Sequence, residues 1–260
     1  MNLGLQSKIA LVTGGSHGIG LATGRALADQ GCNVAICARS ADRLNEAAGD
    51  LKSRGVEALG VAADVLILDD IERVMKTVID TWGTIHILVN NVGGGGRWGS
   101  PVVEETSEDV WIDVYNKNAM AAVRFTRLAI PFMRKQKWGR VVTIASIHGH
   151  EGGGQPWFNM AKSAQISFMK TLAMTHYLVR EGITFNTVAP GSIMIPDTGW
   201  EKESREAPEL FAKKLDEDFP MNRLGRPEEV AAVVAFVCSE KATLLNGATI
   251  VVDGGESRSF

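Results

Sequence analysis

The chain has 260 residues, a formal net charge of −3 and a pI near 6.0, a balance that argues against nucleic acid as a main partner. No apolar run reaches the roughly 18 residues of a membrane-spanning helix, and the opening "MNLGLQSK" has neither the basic flank nor the apolar core of a signal peptide. The three cysteines, Cys32, Cys37 and Cys238, are scattered without metal spacing, which points to a reducing cytoplasm and to thiols with structural roles.

In chain order, short apolar runs alternate with amphipathic ones. "KIALVTG" (8–14) ends in Gly and is predicted as a buried strand. A helix over 20–31 stops at Gly31, and the strand "NVAICA" (33–38) follows. A helix over 41–55 leads to a strand over 56–65, a helix over 69–83 and the strand "IHILVNN" (85–91). A long helical region is expected over 107–135, then the strand "GRVVTIAS" (139–146) and a helix over 157–181. The strand "ITFNTVAP" (183–190), a helix over 227–239 and a last strand "TIVVDGG" (249–255) complete the series. Apolar strands joined by helical crossovers predict a parallel α/β sheet covered on both faces. No repeat or linker divides the chain, so a single domain is expected. The polar stretch 197–220 interrupts the pattern and reads as a mobile insertion over the sheet's edge.

The first motif is "TGGSHGIG" (13–20), with Gly14, Gly18 and Gly20 between a strand and a helix. Glycine there allows a tight turn and lets backbone N–H groups reach a pyrophosphate at the helix N-terminus. The alternative is a tight turn without ligand. The spacing is G-x-x-x-G-x-G and not the commoner G-x-G-x-x-G.

Further motifs follow in a fixed order: "AADV" with Asp64 and Val65, "NNVG" at 90–93, "NKNA" with Asn118, "IAS" ending at Ser146, Lys162 in "FNMAK", "APG" at 189–191 and the closing "GATIVVDGG". Together these resemble the short-chain dehydrogenase/reductase family, most of all its 3-oxoacyl-carrier-protein-reductase-like members, over nearly the whole chain. The resemblance implies a doubly wound Rossmann-type sheet and a nicotinamide cofactor. It assigns cofactor contacts to Gly14, Ser16, His17, Gly18, Ile19, Gly20, Arg39, Ser40, Asp64, Val65, Asn91, Gly93, Lys162, Pro190, Gly191 and Ile193. It also implies a small-molecule carbonyl or secondary alcohol as substrate, and a homo-oligomer, a tetramer being usual in the family. The helix stretch "AQISFMKTLAM" (164–174) could then pack against a neighbour.

NAD-preferring members tend to carry an acidic residue at the end of the second strand; here Ala38 stands in its place and Arg39 follows. A guanidinium can grip a 2′-phosphate with paired hydrogen bonds, so NADP(H) is expected over NAD(H), with His17 assisting. A solvated surface Arg is the plainer reading.

In this family a Tyr hydroxyl exchanges a proton with the substrate oxygen, a Lys lowers the phenol's pKa and holds the nicotinamide ribose, a Ser orients the substrate oxygen, and an Asn holds a water. The resemblance carries these roles to Lys162, Ser146 and Asn118, but Phe158 stands at the Tyr position. The loop between Ser146 and Phe158 is also one residue shorter than in many relatives. Four readings remain: an enzyme whose proton comes from His148, His150 or water; a nucleotide-binding member that supports a partner or senses redox state; a Tyr-to-Phe change that was introduced; and an enzyme whose substrate needs no Tyr acid. Tyr115, one turn before Asn118, and Glu151 are weaker substitutes, and Tyr177 lies too deep in the next helix. "GGGG" (93–96) relieves crowding beside the cofactor. Trp98, Trp157, Met194 and Trp200 are candidates for an apolar pocket wall, and "HEGGG" lacks the spacing of a metal motif.

Overall fold

A computed structural model describes residues 2–259. The elements run β1 (Ile9–Thr13), α1 (Gly18–Ala28), β2 (Asn33–Ala38), α2 (Ala41–Lys52), β3 (Ala58–Ala62), α3 (Leu68–Trp82) and β4 (Ile87–Asn90). They continue with α4 (Glu108–Tyr115), a π turn (Asn116–Met120), α5 (Ala121–Lys135), β5 (Gly139–Ile144), α6 (Pro156–Ala173), α7 (His176–Val179) and β6 (Ile183–Pro190). The last are α8 (Gly199–Glu206), α9 (Pro208–Asp218), α10 (Pro227–Val237) and β7 (Thr249–Val252).

All seven strands pair in parallel, in the order β3-β2-β1-β4-β5-β6-β7. Side chains alternate across a strand, so Ala10 and Val12 pack toward α1, α2 and α10 with Leu27, Leu44 and Val234. Ile9 and Leu11 pack toward α3, α5 and α6 with Ile71, Phe125 and Met169. Both faces are covered, as the apolar runs predicted. The order reverses between β1 and β4, and in doubly wound sheets the crevice beyond the strand ends at such a switch is where ligands bind.

Three expectations need correction. The helix over 107–135 is interrupted by the π turn, which rotates the face that Lys117 and Asn118 present. The helix over 157–181 ends at Ala173, whose carbonyl accepts a hydrogen bond from Asn246 Nδ2 at 2.9 Å; Thr175 is then extended and α7 starts afresh. The last strand stops at Val252, because Gly254 and Gly255 turn the chain away at φ +67 and +86. The stretch 197–220, which interrupts the alternating pattern, carries α8 and α9, joined by Trp200 packing on Phe211 and Phe219 with ring centroids 6.3 and 6.2 Å apart.

Candidate active site

A cleft of about 1270 Å³ opens over the C-terminal ends of β1, β2, β4, β5 and β6. At its first wall, Gly14 turns the chain at φ +66, and Ser16, His17, Gly18 and Ile19 line the turn into α1. Gly20 lies behind that wall. A Cβ on it would stand 2.2 Å from the Gly14 carbonyl oxygen, so only glycine lets α1 close on the turn. The turn is tied to the end of β4. Asn91 Nδ2 donates to the carbonyls of Thr13 (2.8 Å) and Gly14 (3.2 Å), and Thr13 Oγ1 accepts from the amides of Asn91 (2.9 Å) and Val92 (3.0 Å).

Arg39 and Ser40 line the cleft beyond β2, and Ser40 Oγ caps α2 by accepting from the Arg43 amide. Among the described residues Arg39 has no ion pair, whereas Arg43 bonds Asp197 at 3.1 Å, ahead of α8. Asp64 and Val65 line the same end; the Asp64 amide donates to Asp70 Oδ2 at 2.7 Å. Pro190, Gly191 and Ile193 form the wall beyond β6, where the Glu256 carboxylate accepts from the Ser192 amide and hydroxyl at 2.6 and 2.8 Å.

The predicted catalytic residues divide. Ser146, Phe158 and Lys162 share one wall. Lys162 is 4% exposed, its Nζ donates to the Ile144 carbonyl at 3.0 Å and lies 5.5 Å from the Phe158 ring centroid. Burial pushes its amine down to about 7. Asn118 is fully buried behind the wall. Its Nδ2 donates to the carbonyls of Val114 (2.7 Å) and Gly94 (2.9 Å), its Oδ1 accepts from the Gly94 amide (3.2 Å), and its own carbonyl accepts from Gln165 Nε2 (3.0 Å). It therefore clamps the glycine loop that follows β4. A Cβ on Gly93 would stand 2.7 Å from Asn118 Oδ1 and 3.0 Å from Lys162 Nζ, and one on Gly96 would stand 3.4 Å from the Phe158 ring. "GGGG" does relieve crowding, against these side chains.

Of the substitute acids, only His148 lines the cleft beside Phe158. His150 Nδ1 shares a hydrogen bond of 2.7 Å with Ser259 Oγ, and the Glu151 carboxylate accepts from the amides of Arg258 and Ser259 at 2.8 and 3.1 Å. Tyr115 packs against Val114 and Trp157, off the cleft, and Tyr177 lies under Arg134 on the surface. Trp98 and Trp200 line the cleft as expected. Trp157 does not: it is fully buried, donates from Nε1 to the Gly95 carbonyl at 3.1 Å and meets Trp111 edge-on. Met194 is not on the wall either; its amide donates to Gly225.

Lys117 and Arg97 are among the lining residues that escaped the sequence reading. Lys117 is half-buried with its ammonium 4.6 Å over Trp98; burial, and then the charge of Arg39, push its amine down. Arg97 reaches α8, pairing with Glu203 at 3.0 Å over the Trp200 ring. Nothing in the sequence announces the π turn that aims Lys117. Among the described residues no three His, Cys, Asp or Glu side chains cluster as metal ligands, and no helix is long and apolar enough to cross a membrane.

The family described as "Enoyl-(Acyl carrier protein) reductase" matches residues 14–257. The chain is 35% identical to a 3-oxoacyl-[acyl-carrier-protein] reductase of Pseudomonas aeruginosa, over 97% of this chain and 98% of that one. It is 34% identical to dehydrogenase/reductase SDR family member 4 of Oryctolagus cuniculus, over 96% and 94% of the two chains. The solved L-sorbose reductase of Gluconobacter frateurii, complexed with NADPH and L-sorbose, superposes with a TM-score of 0.91 at 34% identity, covering 100% of both chains. With a glycine turn at the switch point, a buried lysine and a serine lining one cleft at the strand ends, and these full-length similarities, the chain belongs to the short-chain dehydrogenase/reductase family of oxidoreductases.

Proposed function

We propose that the protein is an NADP(H)-dependent oxidoreductase that interconverts a carbonyl and a secondary alcohol on a small molecule. The observation that carries this reading is one continuous cleft lined by Arg39, which has no ion pair among the described residues, and by Ser146, Phe158 and Lys162. The residues fit a nicotinamide dinucleotide: the glycines at 14, 20 and 93 leave room that a Cβ would fill. Amides of the turn and the start of α1 suit a pyrophosphate, and Asp64 and Val65 frame the adenine. Arg39, helped by Ser40 and His17, holds the 2′-phosphate, and the similarity to an NADPH complex supports that choice. When bound, the nicotinamide supplies or accepts hydride. Lys162 holds its ribose, Pro190, Gly191 and Ile193 shape its pocket, and Ser146 Oγ holds the substrate oxygen. Asn118 serves this reading by fixing the glycine loop.

Phe158 takes the place of the usual phenol, its ring beside Lys162 one helical turn away. The reading also includes a homo-oligomer, using α6 residues 164–174, and a lid made of residues 197–220. The test is titration with NADPH and NADH, followed by NADPH oxidation across a carbonyl panel in the wild type and in Phe158→Tyr. Tighter binding of NADPH and turnover of at least one carbonyl are expected, with a gain in Phe158→Tyr. Equal affinity for the two cofactors removes the NADP assignment, and binding without turnover removes the enzymatic one.

A further inference from the structure

We propose that His148 is the catalytic proton donor, giving the substrate oxygen a hydrogen from Nε2 in place of the absent phenol. The inference rests on the oxidoreductase reading above. Its basis is the placement of the ring. His148 lines the cleft two residues after Ser146, and the Ser146 hydroxyl oxygen accepts the His148 amide at 3.2 Å. Its imidazole meets the Phe158 ring edge-on, with centroids 6.4 Å apart. Gly153 and Gly154 also lie close to the ring. A Cβ on Gly154 would stand 3.1 Å from Cγ, and one on Gly153 would stand 3.4 Å from Cε1. The imidazole is thus packed against both glycines and Phe158.

The two ring nitrogens differ. Nδ1 is buried without a hydrogen-bond partner. Nε2 is the nitrogen left to meet the cleft. The other histidine of this loop cannot do the same, because His150 does not line the cleft and its Nε2 is buried.

As hydride adds to the carbonyl carbon, the π pair moves onto oxygen. Ser146 Oγ–H donates a hydrogen bond to that oxygen, and the His148 imidazolium gives it the proton from Nε2, forming the alcohol and leaving a neutral ring. The bare Nε2 then takes up a proton from solvent in the open cleft, which regenerates the imidazolium. In the reverse direction the bare Nε2 of the neutral ring removes the alcohol proton.

The experiment compares the wild type with His148→Gln, His148→Ala and the double variant His148→Gln/Phe158→Tyr, using a ketone that the wild type reduces. NADPH affinity, measured by fluorescence, should be unchanged, which shows the cleft intact. The kcat of His148→Gln should fall roughly 10²–10⁴-fold, added imidazole should restore part of the activity of His148→Ala, and the double variant should regain turnover through the phenol. Independently of activity, the ring nitrogen signals of His148 in NMR spectra should move when the ketone joins the NADP⁺ complex, and those of His150 should not. A His148→Gln kcat within a few-fold of the wild type, or His148 signals that ignore the ketone, overturns the proposal alone. A wild type that binds NADPH and reduces no carbonyl overturns the oxidoreductase reading, and the proposal with it.

Discussion

Lys162 offers a thermodynamic test that needs neither substrate nor cofactor. Its amine is held at about 7, against an ordinary 10.5, because burial disfavours the charged form. The Ile144 carbonyl and the Phe158 ring face, at 5.5 Å, are the contacts that offset this. With the folded value below the unfolded one, the unfolded chain binds more protons between pH 7 and 10.5, so stability rises with pH across that window. At pH 7 the native amine is half protonated, and by pH 9 it is nearly all neutral. Integrating the linkage relation over that interval gives about 2 kcal/mol of stability regained. Lys162→Met keeps the apolar stem and removes the titration. Its stability advantage over the wild type should therefore shrink by about 2 kcal/mol from pH 7 to pH 9. The assay is guanidinium unfolding followed by tryptophan fluorescence at fixed protein concentration. The cysteine thiols, which burial holds above their ordinary range, oppose the trend at the alkaline end, but equally in both proteins, so the difference isolates Lys162. Parallel pH profiles for the two proteins would show that the native ammonium is not desolvated, and would refute the reasoning.

Arg39→Ala should weaken NADPH binding about 10-fold or more and leave NADH nearly unchanged, as read from the two dissociation constants; an unchanged ratio defeats the assignment. Trp157→Ala should cost about 3–5 kcal/mol in urea unfolding, because the ring is fully buried and carries the bond to Gly95. Hydrogen exchange over residues 197–220 should slow when NADPH and a ketone are both present. Complete protection in the free protein would rule out a segment that orders on binding.

The alternation of strands and helices was legible because apolar runs are a local property. β2 and β6 even match to the residue, at Asn33–Ala38 and Ile183–Pro190. The breaks were not legible, because their causes are distant. The end of α6 depends on Asn246, far along the chain, and the π turn at Asn116–Met120 has no side-chain pattern of its own. α8 and α9 were hidden by polar composition, since their packing rests on a few scattered side chains, Trp200 with Phe211 and Phe219, and Lys214 with Glu203. In the candidate site, Ser146 and Lys162 both line the one cleft. His148 and His150 looked alike as loop residues; what separates them is a partner for His150 that lies 109 residues further on, at Ser259.

The loop's partners at residues 258 and 259 have a practical consequence. By gripping the amides of Arg258 and Ser259, Glu151 makes these two residues a strut for the loop that carries His148. An insertion at residues 258 and 259 would load that strut directly. Grafting this loop onto a related scaffold, or randomising it to change substrate choice, would likewise transfer only half of a two-piece joint unless residues 256–259 travelled with it.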